Sequence, residues 1–509
     1  MDFDHALRRV WCPVRRARLA LLAFPLALAG CQQLPIASLP IAAPAQWDGS
    51  IARQSAGQAP ESAPMVAWWR LLRDPAIDAL VDAALAGNPD LAQALARIDG
   101  ASAAVGGAQS AQRPQLLGTL GASRASSQVS SDSARTQVGS VGNASVGFSW
   151  EIDLFGRLRA QRAAAGQRLL ARSADAAGIR TALSAQVASQ VTEWRSCAYL
   201  LRVQQWEIGS LQQTLHLTRR RLAMGAAAAI DESRAINDLE IASTTAQSQG
   251  ETCARTLHLL VTLSGMPIDR VRAELAKPLW HGVDACAMDE SDVRCDDARF
   301  RSAEAVLPSA PDIAIEIPAT VLAGSPAVVS AQFEIAAARA DLDAARANRY
   351  PRVDLSSLLT GQWIALAGTA LHVAAWSAAG AISGPLYDGG ARQSQVDGAQ
   401  ARYREAVARG IAVVLAGVQD IEDALAALDS ARNRAVGAER AVAAARTTLH
   451  IAARQWEEGA ASLLALEDAR RQFAIASRSA VSAAKDSAQA WIALVRATGN
   501  NAVSFTNVN

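Results

Sequence analysis

Cysteines are the side chains of this sequence with the clearest chemistry. Cys197 and Cys253 are equally spaced along the sequence on either side of Gly225 (225−197 and 253−225). If the chain reverses at Gly225 as an antiparallel hairpin, the two cysteines face each other and can form a disulfide in an oxidising compartment. Cys286 and Cys295 lie close in sequence and predict a second, local disulfide. The alternative for both pairs is buried free thiols.

Two glycines are each followed by a pair of acidic residues. The pairs are Asp231 and Glu232 after Gly225, and Glu467 and Asp468 after Gly459. Carboxylates repeated around a pore attract cations and can obstruct the pore. On an ordinary solvated helix face they would instead pair with neighbours three residues away, such as Arg234. The elements that carry these residues decide between the two interpretations.

The sequence contains no motif of a catalytic site. Its six histidines are scattered without HExxH spacing, and it has neither GxSxG nor a phosphate-binding loop. The glycine-rich stretch YDGGAR lacks the Lys-Ser/Thr of such a loop. The sequence therefore predicts no enzyme activity, no metal site and no cofactor.

The N-terminus predicts export and lipidation. Five arginines between positions 8 and 18 precede the apolar run LALLAFPLAL, which is too short to span a bilayer. The following LAGC resembles the bacterial lipobox, in which the cysteine, here Cys31, carries the lipid. Gln32 in the next position implies sorting to the outer membrane. The alternative is cleavage after Ala29, which would leave Cys31 as a thiol.

Composition favours long, closely packed helices. Half of the 509 residues are apolar, but many of these are alanine and only 5% of the chain is aromatic. Alanine favours helices and buries little area per residue. The net charge of +1 gives no field that would attract nucleic acid. After Cys31 no run of about 18 apolar residues occurs, so a membrane crossing would have to use strands.

The two halves of the chain resemble each other, first in their prolines. The interval from Pro89 to Pro114 is the same as that from Pro326 to Pro351 (114−89 and 351−326). Each pair brackets a segment of helical composition, NPDLAQALARIDGASAAVGGAQSAQRPQL in the first half and SPAVVSAQFEIAAARADLDAARANRYPRV in the second. The sequence therefore predicts an internal repeat.

Glycines extend the repeat over the rest of each half. SWEIDLFGRLR contains Gly156 and ISGPLYDGGAR contains Gly390, and both follow the preceding proline at nearly equal intervals (156−114 and 390−351). The intervals from these glycines to the next ones, Gly225 and Gly459, are identical (225−156 and 459−390). Each half thus predicts a short helix, a strand pair, a long helix, a tight turn and a long returning helix.

The strand pairs fall in about 115–150 and 352–387. The first is rich in Ser, Gly and Thr, which also fits a disordered polar linker, but the matching segment LSSLLTGQWIALAGTALHVAAW is apolar and aromatic. The long helices carry a seam with 3, 4, 3, 4, 3 spacing, formed by Ile411, Val414, Val418, Ile421, Leu425 and Leu428. Such a seam indicates a coiled coil or the core face of a bundle. A helix that filled the whole interval between the two glycines of one half would be roughly 100 Å long.

These landmarks together resemble the TolC-like outer membrane factor family, and within it the NodT-type efflux outer-membrane lipoproteins. The resemblance covers roughly residues 62–500 and rests on the lipobox, WEIDLFGRLR, SGPLYDGGAR, the glycine turns and VTLSGMP. It implies an α+β, mainly α chain that forms a trimeric outer-membrane β-barrel. Four strands per chain, twelve in all, would continue into a long periplasmic coiled-coil tunnel. Four strands alone cannot close, since the smallest outer-membrane barrels have about eight.

The resemblance also implies roles for the landmark residues. Gly156 and Gly390 would be strand-to-helix junctions, where glycine tolerates a sharp change of backbone direction. The hairpin tips would contact a periplasmic adaptor, or membrane fusion protein; their residues are Gly225, Ala226, Gly459 and Ala460. The acidic residues would form a periplasmic gate, with Asp231 and Asp468 the best match and Glu232 and Glu467 beside them.

The predicted organisation has six segments. They are a signal peptide (1–30), a lipid-anchored linker (31–61), a first repeat (62–266), an inter-repeat segment (267–320), a second repeat (321–500) and a C-terminal tail (501–509). The resemblance implies partnership with further copies of the chain, an adaptor, an inner-membrane transporter and outer-membrane lipid. It implies an outer-membrane exit channel of a tripartite efflux system in a Gram-negative bacterium. The alternatives are the duct of a type I protein secretion system and a lipid-anchored coiled-coil structural or adaptor protein.

Overall fold

The structure is a computed structural model of the chain. It describes residues 46–47, 67–129, 135–277, 307–308, 311, 313–315, 318–366, 369–499 and 503–505. The predicted lipidation site Cys31 and the predicted Cys286–Cys295 disulfide lie outside the described residues.

The described part of the chain forms nine α-helices and six strands. The helices are α1 Pro75–Gly87, α2 Pro89–Ser110, α3 Arg157–Ala223, α4 Ala229–Ser264, α5 Ile268–Leu275, α6 Pro318–Gly324, α7 Pro326–Ala347, α8 Ala391–Glu457 and α9 Leu463–Ala497. The strands are β1 Gln115–Val129, β2 Arg135–Ile152, β3 Ile313–Ile315, β4 Arg352–Leu366, β5 Thr369–Ser383 and β6 Val503–Phe505. A 3-10 helix, Trp68–Leu72, precedes α1.

The lengths of these elements confirm the two-fold repeat. Helices α2 and α7 each have 22 residues, and α3 and α8 each have 67. The returning helices α4 and α9 have 36 and 35 residues. At about 1.5 Å per residue, α3 and α8 are each roughly 100 Å long, and the returning helices reach only about half as far.

Helix starts in the two halves follow the same sequence signal. Asn88 caps α2 by accepting a hydrogen bond from the Asp90 amide at 2.9 Å, and Pro89 occupies the first helical position. Ser325 and Pro326 hold the same two positions at the start of α7. The Asn88 amide also donates to the carbonyl of Leu263 at 3.1 Å, which fixes the start of α2 against the end of α4.

The strands form two antiparallel sheets. The larger has the order β1-β2-β4-β5, so β1 and β5 are its edges and the two halves of the chain meet at the β2–β4 pair. The predicted strand pairs, about 115–150 and 352–387, correspond to β1–β2 and β4–β5. The smaller sheet pairs β3 with β6, so part of the predicted C-terminal tail lies against the inter-repeat segment.

The core lies where the two halves pack together along the long helices. Tyr199 and Val203 of α3 pack with Phe473 and Val481 of α9, and all four are buried. At one end of this interface the ring of Trp68 lies 5.7 Å from that of Trp491, and its indole donates to Ser184 of α3 at 3.1 Å. Helix α9 therefore packs on α3 of the first half as well as on α8 of its own half.

The predicted seam of α8 lies on the packed face of that helix. Val414, Ile421, Leu425 and Leu428 are buried, while Ile411 and Val418 are half-buried. A strip of aliphatic side chains along a helix packs against neighbouring helices in this way.

Among the described residues no single helix combines the length and apolar character of a membrane span. By these two measures alone, α6 and α7 pass as a pair bent by 67°.

Candidate functional site

The four-stranded sheet has two chemically different faces. Side chains alternate between faces along a strand, and the register shows which residues share a face. One face is mainly apolar and includes Leu116, Leu120, Val146, Phe148, Trp150, Leu355, Leu359, Trp363, Trp376 and Ile382. The other is richer in polar groups and includes Thr119, Ser123, Asn143, Ser145, Ser149, Asp354, Ser356, Thr360, Gln362 and Ser377.

The apolar face is not covered by the rest of the chain. Leu120 is 87% exposed, Trp376 is 79% exposed and every residue of β5 is exposed. An uncovered apolar surface of this extent marks contact with a membrane or another protein. Apolar and polar residues that alternate in this way are typical of strands that face lipid on one side and water on the other.

Each 67-residue helix begins shortly after a strand, α3 after β2 and α8 seven residues after β5. Four residues, 153–156, separate β2 from α3, and Gly156 has φ of 81°. The Asp153 carboxylate accepts hydrogen bonds from the amides of Leu158 at 3.1 Å and Arg159 at 2.8 Å. It thereby satisfies amides that a helix start leaves without partners. The backbone turns at Gly156, where a side chain would be strained.

The second junction repeats this arrangement. Gly390 has φ of 88°, and the Asp388 carboxylate accepts from the amides of Gly390 at 3.0 Å and Arg392 at 3.1 Å. The aromatic rings of Phe155 and Tyr350 stack at 4.7 Å and join the two halves near these junctions. Both predicted junction glycines therefore lie at the start of a 67-residue helix.

The predicted tips are both sharp helix-terminating turns. Gly225 has φ of 71° and Gly459 has φ of 74°. The amide after each glycine bonds back to a carbonyl five residues earlier: Ala226 to Arg221 at 2.8 Å and Ala460 to Gln455 at 2.7 Å. This is the Schellman pattern that ends helices at a left-handed glycine.

Three of the four predicted gate acids pair with arginines. Glu232 accepts from Arg219 of α3 at 2.9 Å, and Glu467 accepts from Arg470 at 2.8 Å. Asp468 pairs with Arg471, three residues along the same helix.

Asp231 differs from the other three acids. Its carboxylate accepts from the amide of Ala228 at 3.1 Å, and no arginine pairs with it among the described residues. Asp231 therefore has no ion-pair partner among the described residues, and the positive end of the α4 dipole supplies its compensation.

One open cavity of about 700 Å³ connects the two tips. Five carboxylates line it: Asp231 and Asp238 of α4, Glu467 and Asp468 of α9, and Glu207 of α3. Five arginines also line it: Arg221, Arg234, Arg470, Arg471 and Arg478. Within one chain three of the four predicted acids thus share one site, which Glu232 does not line, and the site carries both signs of charge.

The structure joins Cys197 and Cys253 in a disulfide with a Cα–Cα distance of 5.6 Å. It links α3 to α4 well away from the tip. The Gln249 amide lies 3.0 Å from the Cys197 sulfur. Among the described residues no cluster of His, Cys, Asp and Glu could hold a metal ion.

The polar contacts between α3 and α9 were not predicted from the sequence. Arg478 donates to Glu207 at 2.7 Å, and Lys485 pairs with Glu193 at 3.2 Å. Ser210 contacts both Glu467 and Arg470. These partners lie more than 250 positions apart, so no local spacing signals them.

The sequence is similar to one family model and to several known proteins of the same kind. A family model described as outer membrane efflux protein matches residues 80–250 and 317–500. The chain is 25% identical to Nodulation protein T of Rhizobium leguminosarum bv. trifolii, over 86% of this chain and 88% of that protein. It is 24% identical to the pyoverdine export outer membrane protein OpmQ of Pseudomonas aeruginosa, over 94% and 96%. It is 25% identical to the toluene efflux pump outer membrane protein TtgC of Pseudomonas putida, over 88% and 87%.

Solved structures share the fold. The Campylobacter jejuni CmeC outer membrane channel superposes with a TM-score of 0.76 at 20% identity, covering 93% of this chain and 95% of that one. The open state of the Neisseria gonorrhoeae MtrE outer membrane channel gives 0.71 at 21% identity, over 92% and 97%.

Proposed function

The chain belongs to the outer membrane efflux protein family, and we propose that it forms the outer-membrane exit channel of a tripartite efflux system. The channel would passively export small molecules from the periplasm or an inner-membrane transporter to the exterior. The observation that carries this proposal is the direct continuation of a two-faced sheet into the long helices α3 and α8. Such a chain can line one continuous path from the membrane into the periplasm.

The sheet requires further copies of the chain. Edges β1 and β5 have no partner strand among the described residues, and unpaired edges in lipid leave backbone groups without hydrogen bonds. A homotrimer would supply twelve strands and close the barrel. Its apolar face would contact lipid and its polar face would line the exit path.

The channel would also work with other proteins and with lipid, which would bind at its hairpin tips and its N-terminus. An inner-membrane transporter would supply energy, and a periplasmic adaptor would bind the tips around Gly225, Ala226, Gly459 and Ala460. Small residues there allow close approach of another helical hairpin. Lipid on Cys31 would anchor the N-terminus in the outer membrane.

Small-molecule efflux is favoured over the two alternatives. By their names, the relatives OpmQ and TtgC serve pyoverdine export and toluene efflux, which supports small molecules over the protein cargo of a type I secretion duct. An anchored coiled-coil protein would not need a two-faced sheet between its helices. The channel would carry out no covalent chemistry.

The gate would consist of the two tips. In a trimer, Asp231 and Asp468 would each occur three times and form acidic rings. Because Arg471 pairs with Asp468 and no arginine pairs with Asp231 among the described residues, Asp231 would contribute more to cation preference. Opening would separate the tips and would be driven by the partners.

Light scattering and planar bilayer recording of the purified mature protein test this function. We expect a trimer with small, cation-favouring openings. Removing both charges, by Asp231→Ala with Asp468→Ala, should enlarge the openings and weaken cation preference. Glu251→Ala with Glu405→Ala is the matched control, because it removes the same charge from exposed ion pairs away from the tips.

The possible results test the channel and the gate separately. A trimer whose openings are unchanged in the double variant would keep the channel and remove the two aspartates from the gate. A monomer without conductance would refute the shared barrel.

A further inference from the structure

A second cavity lies beside the strand-to-helix junctions and has no part in the proposed gate. It has a volume of about 530 Å³ and lies among α3, α7, α8 and the start of β4. Four arginines and a single carboxylate line it: Arg157, Arg168, Arg352, Arg402 and Asp341. Like charges at this density are unfavourable unless counter-charges occupy the space between them.

Two of the four arginines are already neutralised. The Arg157 guanidinium donates to the Glu151 carboxylate at 2.6 and 3.2 Å, and both side chains are mostly buried. Arg168 pairs with Asp341 across the interface between α3 and α7. Each of these two ion pairs has a net charge of zero, so neither Arg157 nor Arg168 contributes an uncompensated positive charge to the cavity.

The other two arginines have no carboxylate partner among the described residues. Arg352 donates to the Asn348 side-chain oxygen at 3.0 Å, which is a neutral acceptor. Asn348 is in turn fixed by donating to Gln395 of α8 at 3.2 Å. Arg402 is exposed on α8 and lines the same cavity. Two full positive charges therefore face this space without compensation.

The cavity has a defined position in the fold. Arg157 and Arg352 are the first residues of α3 and β4, so it begins where the sheet ends. Arg168 and Arg402 lie equally far into their helices (168−157 and 402−391), or roughly 16 Å along them. Helix α7 packs on both α3 and α8, so the cavity lies within one chain, beneath the central β2–β4 pair.

We propose that this cavity binds a phosphate group. Guanidinium groups recognise phosphate through paired N–H donors, and two uncompensated arginines match the charge of a phosphate monoester and exceed the single charge of a phosphodiester head group. The same chemistry could come from a phospholipid head group or from a soluble phosphate ester. The membrane source has a physical basis, because basic pockets near a membrane surface bind anionic head groups.

Lipid retention on the full-length trimer tests the proposal. The protein is purified in mild detergent, supplied with phosphatidylglycerol or, separately, glycerol 3-phosphate, and bound molecules are counted by native mass spectrometry. Replacing both free arginines, by Arg352→Gln with Arg402→Gln, should weaken binding about tenfold or more, because each charge-assisted hydrogen bond is strong. Raising ionic strength should weaken binding to the natural chain.

The matched control is Arg404→Gln with Arg409→Gln. These exposed arginines lie on the same helix and outside the cavity, so the variant loses equal charge and should bind like the natural chain. Tight phosphatidylglycerol binding with weak glycerol phosphate binding assigns the site to a lipid. Tight glycerol phosphate binding with the same arginine dependence assigns it to a soluble ester. Equal binding by all three chains overturns the proposal, provided that each remains a trimer.

Discussion

The two helical hairpins of the chain have matching lengths and turns, but their arms are joined differently. In the first, the Cys197–Cys253 disulfide connects α3 to α4, and Glu232 reaches across the tip to Arg219 at 2.9 Å. The matching positions of the second hairpin, counted from Gly390 and Gly459 as the cysteines are from Gly156 and Gly225, are occupied by Ala431 and Ser487. A disulfide therefore cannot form there.

The second hairpin has no such cross-link, and it is held by packing between its own arms and by contacts with the first hairpin. Its own arms share an exposed ion pair, Arg434–Asp486 at 3.2 Å. Helix α9 is held to α3 by the Glu207–Arg478 and Glu193–Lys485 pairs and by the apolar cluster around Phe473. The repeat thus preserves backbone turns and differs in side-chain links. The first hairpin is cross-linked within itself, whereas the second is held to the first by ion pairs together with the apolar cluster around Phe473.

The largest expected effect comes from breaking the disulfide. Cys197→Ser with Cys253→Ser removes a cross-link between positions 56 residues apart, which is worth about 4 kcal/mol in the chain-entropy account. Opening of the first hairpin should become correspondingly easier. Hydrogen exchange of the α3 and α4 amides, followed by mass spectrometry on the purified trimer, measures this.

The second hairpin serves as the internal control for that experiment. The hydrogen-exchange rates of the α8 amides should stay unchanged, because no described disulfide involves α8. Reductant should convert the natural chain to the behaviour of the variant and leave the variant unaffected. Uniformly faster exchange in both hairpins would contradict the view that the disulfide stabilises one hairpin only.

Turns and strands were predictable from the sequence because single residues mark them. The strand pairs expected at about 115–150 and 352–387 are bounded by prolines and glycines, and the structure places them within a few residues. Links between distant helices were not predictable. The buried face of α3 includes many small or polar residues, such as Ala185, Thr192 and Gln204, so the sequence marks it weakly and the partners of Glu207 and Ser210 could not be chosen. The Asp468–Arg471 pair did have a signal, its spacing of three.

The glycine turns at the two hairpin tips are alike, and this equivalence can be tested by substitution. Gly225→Ala and Gly459→Ala each place a side chain in the left-handed region, at a cost of about 1–2 kcal/mol. Neither new methyl group would meet an atom within 4 Å, so the cost is confined to the backbone. We expect the two variants to raise exchange at their own tips by similar factors. A clearly larger effect at one tip would show that the turns are not equivalent.

The smallest expected effect concerns the links between the hairpins. Glu207→Gln and Arg478→Gln each break a pair whose side chains are 22% and 30% exposed, and a double-mutant cycle should give a coupling of about 0.5–1 kcal/mol. If this link resists separation of α9 from α3, channel openings in planar bilayers should become about two- to fivefold more frequent for each chain affected. The double variant should then open about as often as either single variant.

The Arg434–Asp486 pair provides the matched control, because it joins the two arms within the second hairpin. Arg434→Gln with Asp486→Asn also removes one charge of each sign, but it leaves every described link from α9 to α3 in place. Movement of the second hairpin as a unit requires only the links between hairpins to break, so this variant should open as rarely as the natural channel. The Arg434–Asp486 variant could instead open as often as the Glu207–Arg478 variants. In that case α8 and α9 would separate from each other during opening, and the difference between the links of the two hairpins would not control opening.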